Sequence, residues 1–343
     1  MQYVVTIGIP VFRAKDYVQN TMLSALAQTY PDIEFLVIDD CGNDGSMDII
    51  EELLHSHPRG EHIRILRNSQ NLGAGNSRNR IIDEARGRYL YFLDSDDTME
   101  PGTIQLMMDA ILHHDAEIVY ASYEVVDTVY HAPNQIYQKP SLCLFSQDVL
   151  AYFAFKNKSV FQVSVCNSLI NLSFLRQANV RFIDTAFWED MAFTYELVPC
   201  VNRAVLLPDI TYHYILRLGS LSHYQDREQL EKSEIMNNVS TINYLKERCR
   251  YLAGKPYLPY LCYNLEMSSF YIICHIIKHS TRISPAFTYR EMRQVLLSPL
   301  SLWQHLHYRE KLLENLLMWL LGHLPIMMFR PFIWLLGKLK KAI

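Results

Sequence analysis

The stretch that decides the fold is Tyr89-Leu90-Tyr91-Phe92-Leu93-Asp94-Ser95-Asp96-Asp97. A short apolar run stops abruptly in three carboxylates. The run reads as a buried strand, and the acids sit where that strand leaves its sheet. In open α/β sheets ligands bind beyond the carboxyl ends of strands. Carboxylates this close repel one another, so a cation is expected to offset them. A divalent metal carrying a phosphate suits them, because hard cations prefer oxygen ligands. The competing reading is a solvated turn in which Asp97 or Thr98 caps a helix.

Upstream, the same pattern recurs. Residues 3–11 read as a β-branched buried strand, 16–28 as a helix and 33–38 as a second strand ending at Asp39-Asp40. A helix at 48–54 is entered through Gly42, Asn43, Gly45 and Ser46. Residues 62–66 form a third strand and 75–85 a helix, with Gly87 at its C-cap. A glycine just past a helix end commonly adopts the left-handed cap. The strand at 89–93 follows, and 117–120 continues the series. Strands alternating with helices predict a doubly wound, mostly parallel, Rossmann-like sheet. Between 134 and 162 the periodicity blurs into expected loops and short helices. From 226 onward the chain reads as helical, most clearly at 228–248 and 261–277. The expected division is 1–225 for the α/β domain and 226–343 for a helical C-terminal region.

Composition excludes several classes. A net charge of −4 gives no reason to expect nucleic acid. Seven scattered cysteines contain no Cys-x-x-Cys pair, so no zinc or redox motif is indicated. The start Met1-Gln2-Tyr3 lacks a basic signal-peptide region. A reducing, cytoplasmic setting is therefore expected.

Three strand tips would share one sheet edge: Pro10-Val11-Phe12, Asp39-Asp40 and Asp94-Ser95-Asp96. A nucleoside diphosphate fits across them. Pro10 and Phe12 would pack on a base, and Asp40 would accept a uracil N–H. Asp94 would contact ribose or metal, and Asp96 would ligate the metal. A second cluster runs Asn71-Leu72-Gly73-Ala74-Gly75-Asn76-Ser77-Arg78. Its glycines permit close backbone approach, a helix starts there, and helix starts favour anions. Arg78 adds a charged donor for phosphate. A plain glycine loop with a solvated arginine is the alternative. It is not a dinucleotide fingerprint, which requires Gly-x-Gly-x-x-Gly directly after the first strand.

In order, these elements resemble the family-2 glycosyltransferases of the GT-A fold, of the bacterial surface-polysaccharide type. The residues that carry the resemblance are Pro10-Val11-Phe12, Val37-Ile38-Asp39-Asp40-Cys41 with Asp44-Gly45-Ser46, Asn71-Leu72-Gly73, Arg78-Asn79, and Gly87 through Asp97. They span roughly residues 3–225. The resemblance implies a nucleotide-sugar donor bound by Pro10, Phe12, Asp40, Asn71, Gly73, Arg78, Asp94 and Ser95. It also implies Mn²⁺ or Mg²⁺ at Asp96 and inversion at the anomeric carbon. Phe187-Trp188-Glu189-Asp190 looks like the family's Glu-Asp element, whose Asp is the base. Apolar neighbours should raise the Asp190 pKa. Trp188 and Glu189 would meet the acceptor, though a core tryptophan is as good a reading. Tyr212 through Ser222 resembles the next element. There Arg217 would stabilise the departing diphosphate, a Gly219-Ser220 loop would close over it, and His213 is either a third metal ligand or a structural histidine. No Gln-x-x-Arg-Trp element follows, so single additions to a saccharide or lipid-linked acceptor are expected, not polymer extrusion.

The tail is a separate signal. Residues 301–343 carry six cations against two acids, and hold Trp303, Trp319 and Trp334. Residues 315–329 contain no Asp, Glu, Lys or Arg. A spanning helix needs about 20 apolar residues. Helices within 312–343 lying in a membrane interface, with Lys338, Lys340 and Lys341 on anionic lipid, fit better. This would make the protein peripheral on the inner face of the plasma membrane. A core helix pair is the alternative. Two rival functions remain open at this point. One is a nucleotidyltransferase on a similar sheet, for which Arg13 alone is poor support. The other is a catalytically silent nucleotide-sugar-binding or membrane-scaffold protein.

Overall fold

The computed structural model describes residues 3–161, 163–217 and 229–340. The chain forms two compact units, Met1–Leu150 with Ser159–Leu218, and Ala151–Lys158 with Gly219–Ile343. The sequence draws its boundary at 225 and gives no sign that 151–158 leaves the first unit. The reason lies in the second unit's own bonding: Asn264 Nδ2 donates to the Phe155 carbonyl, and Tyr152 meets Tyr260 edge-on.

The first unit opens as β1 (Val5–Val11), α1 (Val18–Leu26), β2 (Ile33–Asp39), α2 (Ser46–Ser56), β3 (Ile63–Arg67), α3 (Ala74–Glu84) and β4 (Tyr89–Phe92). β1 pairs in parallel with β2 and β4, and β2 with β3. Val5, Ile7 and Ile9 of β1 and Phe35 to Ile38 of β2 are fully buried. Such unbroken apolar strands belong to a parallel sheet covered on both faces. Gly87 is not the left-handed cap the sequence predicts. Helix α3 ends at Ala85 with φ −58°. The glycine is instead a point of close approach, since a Cβ there would stand 2.5 Å from the Thr6 nitrogen.

The chain continues through β5 (Thr98–Met99), α4 (Thr103–His113), β6 (Ile118–Asp127), β7 (Gln135–Tyr137), β8 (Leu142–Phe145) and α5 (Val149–Lys156). Then come β9 (Ser168–Asn171), α6 (Leu172–Ala178), α7 (Glu189–Leu197) and β10 (Arg203–Leu216). The sheet order is β3-β2-β1-β4-β9-β6-β10-β5. β9 wedges antiparallel between β4 and β6, while β6 and β10 are parallel. The fold is thus mixed α/β with a mostly parallel principal sheet. Beyond the opening half, β5, β7 and β8 add antiparallel edges. Asn167, just before β9, ties the junction together. Its Nδ2 donates to the Ala121 and Ser122 carbonyls, and its Oδ1 accepts from Tyr91 Oη and Thr211 Oγ1.

The second unit contains β11 (Leu230–Glu231), α8 (Lys232–Arg248), α9 (Leu258–Lys278), β12 (Ile283–Ser284), α10 (Tyr289–Leu296), α11 (Leu302–Leu306), α12 (Leu312–His323) and α13 (Ile326–Leu339). Helix α9 is its axis. Leu261, Leu265, Ile273 and Ile276 are buried there, and α8, α10, α12 and α13 pack on it. No described helix is long and apolar enough to cross a membrane.

Candidate active site

The site is built at the carboxyl edge of β1, β2 and β4, closed by the start of α7 and the end of β10. Asp40 follows β2 and is 2% exposed. It accepts from Asn68 Nδ2 (2.7 Å) and from the Leu72 and Gly73 amides (2.8 and 2.9 Å). It therefore shapes the Asn71–Gly73 loop. Three of roughly four lone-pair sites on an ionised carboxylate are used, which leaves one acceptor position. Asn71 Oδ1 accepts from the Gly73 amide at 2.9 Å. Gly73 sits at φ +85° with open space where a Cβ would be. Its conformation, not crowding, calls for glycine. Phe12 is an exposed ring with the Arg13 guanidinium over it, and Pro10 is half-buried beside it in sequence.

The three acids after β4 separate into different roles. Asp97 is buried; Tyr212 Oη donates to its Oδ2 at 2.5 Å and the Ile215 amide to its Oδ1 at 2.8 Å. Burial, then the charges of Asp96 and Asp94, push its pKa well up. It anchors β10 and does not cap a helix. Asp94 and Asp96 reach the surface, with side chains 29% and 23% exposed. Ser95 lies half-buried between them. Asp96 Oδ2 accepts from Arg217 Nε at 2.6 Å, and Arg217 lies over the Tyr17 ring. Burial and the neighbouring Asp94 raise the Asp96 pKa, against the opposing pull of Arg217.

Arg78 is the centre of the constellation. It was the residue the sequence set against a phosphate; its guanidinium is instead committed to carboxylates. Nη2 donates to Asp94 (2.7 Å), and Nη1 to Glu189 and Asp190 (2.9 Å each). The side chain is 5% exposed, so a buried cation is balanced by three acids. Glu189, expected at the acceptor, turns to Arg78 in the same way. Trp188 is the N-cap of α7 with φ +62°, and Glu189 and Asp190 form that helix's first turn. Burial raises the Asp190 pKa to about 7, helped by Glu189 and Asp94 and opposed by Arg78. A proton acceptor poised near neutrality is what general-base chemistry requires.

His213 departs from the metal-ligand expectation. Its Nδ1 lies 2.8 Å from Glu124 Oε1 and its Nε2 2.9 Å from Glu100 Oε1. With a carboxylate oxygen against each ring nitrogen, neither nitrogen is open to a metal, and His213 reads as the structural alternative. Among the described residues no three His, Cys, Asp or Glu side chains converge to hold an ion by themselves. The donor set at Asp94 and Asp96 is nonetheless all oxygen and surface-reaching, and the arginine on each carboxylate bonds one oxygen only. It fits a hard ion that arrives with substrate phosphates, the common manner of Mg²⁺ binding. The Gly219-Ser220 loop and Lys341 lie outside the described residues.

A mixed α/β unit with a curled, mostly parallel sheet and carboxylates at its carboxyl edge is the GT-A fold of glycosyltransferases. The family described as Glycosyl transferase family 2 matches residues 6–175, and the chain belongs to that family. Over 139 residues it is 29% identical to TuaG of Bacillus subtilis, named for teichuronic acid biosynthesis, covering 38% of this chain and 54% of TuaG. Over 125 residues it is 30% identical to the Escherichia coli UDP-Glc:α-D-GlcNAc-diphosphoundecaprenol β-1,3-glucosyltransferase WfgD, covering 36% of this chain and 47% of WfgD. The chain thus spans about half the length of these two relatives. The S. aureus TarS structure in complex with UDP-GlcNAc superposes with a TM-score of 0.58 at 16% identity, covering 79% of this chain and 86% of that one. At that identity the likeness establishes the fold.

Proposed function

We propose that this chain is an inverting, metal-dependent glycosyltransferase. It moves one sugar from a nucleotide sugar, a UDP sugar by preference, to a saccharide or lipid-linked acceptor in surface-glycan synthesis. The observation that carries the reading is Asp190, held at a helix start on Arg78 with its pKa lifted to about 7. The named donor and acceptor of WfgD and the UDP-GlcNAc of the TarS structure support the substrate classes.

The base of the nucleotide packs against Phe12 and Pro10, and its imino N–H takes the remaining acceptor position of Asp40. Asn71 and Gly73 shape the loop beside it. Asp94 and Ser95 meet the ribose. Asp96 would hold Mn²⁺ or Mg²⁺, which supplies charge neutralisation of the diphosphate when bound. Trp188 borders the acceptor. Asp190 takes the acceptor hydroxyl proton as that oxygen bonds to the anomeric carbon. The bond from that carbon to the diphosphate breaks from the opposite face, so configuration inverts and the nucleoside diphosphate leaves. Arg217, already on Asp96, is placed to meet the charge that develops on the leaving group. Arg78 reaches no substrate in this scheme; it orients Asp190 and Asp94. The acceptor would be met at the inner face of the plasma membrane, which residues 312–343 contact.

Asp190→Asn is the direct test. Donor binding by calorimetry should persist while transfer falls by about 10²–10⁴-fold, the range for general-base loss. Transfer near the wild-type rate would remove Asp190 from its role. Donor binding without turnover in the unmodified protein would favour a silent binding protein.

A further inference from the structure

Among the described residues, more than half of the exposed large apolar side chains lie between Trp303 and Leu339 of the second unit. They are ordered. On α13, Phe329, Ile333 and Gly337 form a buried stripe at helical spacing. About a third of a turn round the helix, Met328, Phe332, Leu335 and Leu339 form a second stripe, 38% to 72% exposed. Positions i, i+4, i+7 and i+11 share one helix face. An apolar face that continues well beyond the buried stripe belongs in a core or against lipid, and only the Phe329–Ile333–Gly337 face of α13 is buried. Helix α12 repeats the device with Leu313, Leu317 and Leu320 outward and Met318 and Leu321 inward.

We infer that these outward stripes of α12 and α13 are a docking surface for an anionic lipid bilayer, with the helices lying in the plane of the interface. The proposal rests on the membrane-surface reading above and assigns it to particular side chains. The charge is complementary to lipid phosphate: residues 326–340 carry Arg330, Lys338 and Lys340 and no acid, and all three cations are exposed. Lys338 Nζ stands 3.9 Å from the Trp334 ring, an indole 46% exposed. Tryptophan beside lysine is the pairing expected at headgroup depth. No described helix spans, and Pro331 lies within α13, so an in-plane helix suits the length. A second copy is a poorer occupant, because a two-fold contact sets the same patch against itself. That would oppose like cations, which is costly.

The test is co-sedimentation of the full chain with phosphatidylcholine vesicles, with and without phosphatidylglycerol. Wild type should partition onto the anionic vesicles, and less so in high salt. Leu335→Glu with Leu339→Glu should cut that partitioning at least tenfold. Lys338→Glu with Lys340→Glu should abolish the preference for phosphatidylglycerol. Leu313→Glu on α12 gives an independent variant should the α13 pair lose its native melting transition. Wild type that ignores anionic vesicles would overturn the inference. So would a dimer, seen by sedimentation velocity, that the glutamates dissolve while vesicle binding is unchanged. The UDP-induced rise in Tm should be the same in wild type and variants. Its absence with vesicle binding intact would count against the donor reading and leave this one standing.

Discussion

Asp190 shows how little sequence distance matters to the chemistry. Its pKa is raised by burial and then set by the charges of Arg78, Glu189 and Asp94, and Arg78 lies on a different helix. The acid pattern of 94–97 was legible as a strand tip, because an apolar run ending in carboxylates has few other homes. Which acid does what was not legible. Asp97 differs from Asp96 only in facing β10, and a partner 115 residues away, Tyr212, decides that. The partners of Arg78 escape a reading of the sequence for a related reason. A glycine-rich helix start advertises an anion site, but three acids from elsewhere in the fold claim the guanidinium first. The sign of the pH effect follows from the raised Asp190 pKa. The base works only when ionised, so kcat/KM should fall about tenfold per unit as pH drops below about 7. Above that value the Asp190 limb should be flat. A profile that stays level down to pH 5 would mean another group takes the proton.

At the scale of elements, the opening β1 to β4 series was readable because each strand is long, apolar and bounded by turn residues. β9 was not. Its four residues give no periodicity, and its pairing comes from Asn167 and the flanking strands. β10 was hidden differently, since its pairing with β6 shifts register twice, between Leu206 and Ile210 and between Ile210 and Tyr212. Gly87 reads as a helix cap in the sequence but serves as a point of close approach. The predicted cap would tolerate asparagine, whereas close approach to β1 tolerates no side chain. Gly87→Ala puts a Cβ 2.5 Å from the Thr6 nitrogen and 2.6 Å from the Val5 carbonyl carbon. Overpacking of this kind costs about 1–3 kcal/mol, so chemical denaturation should show a lower midpoint. An unchanged midpoint would show that the β1–β4 edge can relax around a methyl group.

At the scale of the molecule, the two units divide the work. In the proposed function the first carries the donor edge, the base and the cation positions. The second is a helical body with an apolar outer face, where composition already flagged the tail but only side-chain exposure shows the stripes. The central claim is that the carboxylate edge binds a nucleotide sugar together with a divalent ion. It is tested most directly by calorimetric titration of UDP-glucose and UDP-GlcNAc into wild type and Asp96→Asn, each with Mn²⁺ and with chelator. Saturable binding to wild type with Mn²⁺ is expected, weakened at least tenfold by chelator or by Asp96→Asn. Equal binding under all four conditions, or none with any UDP sugar, would contradict it.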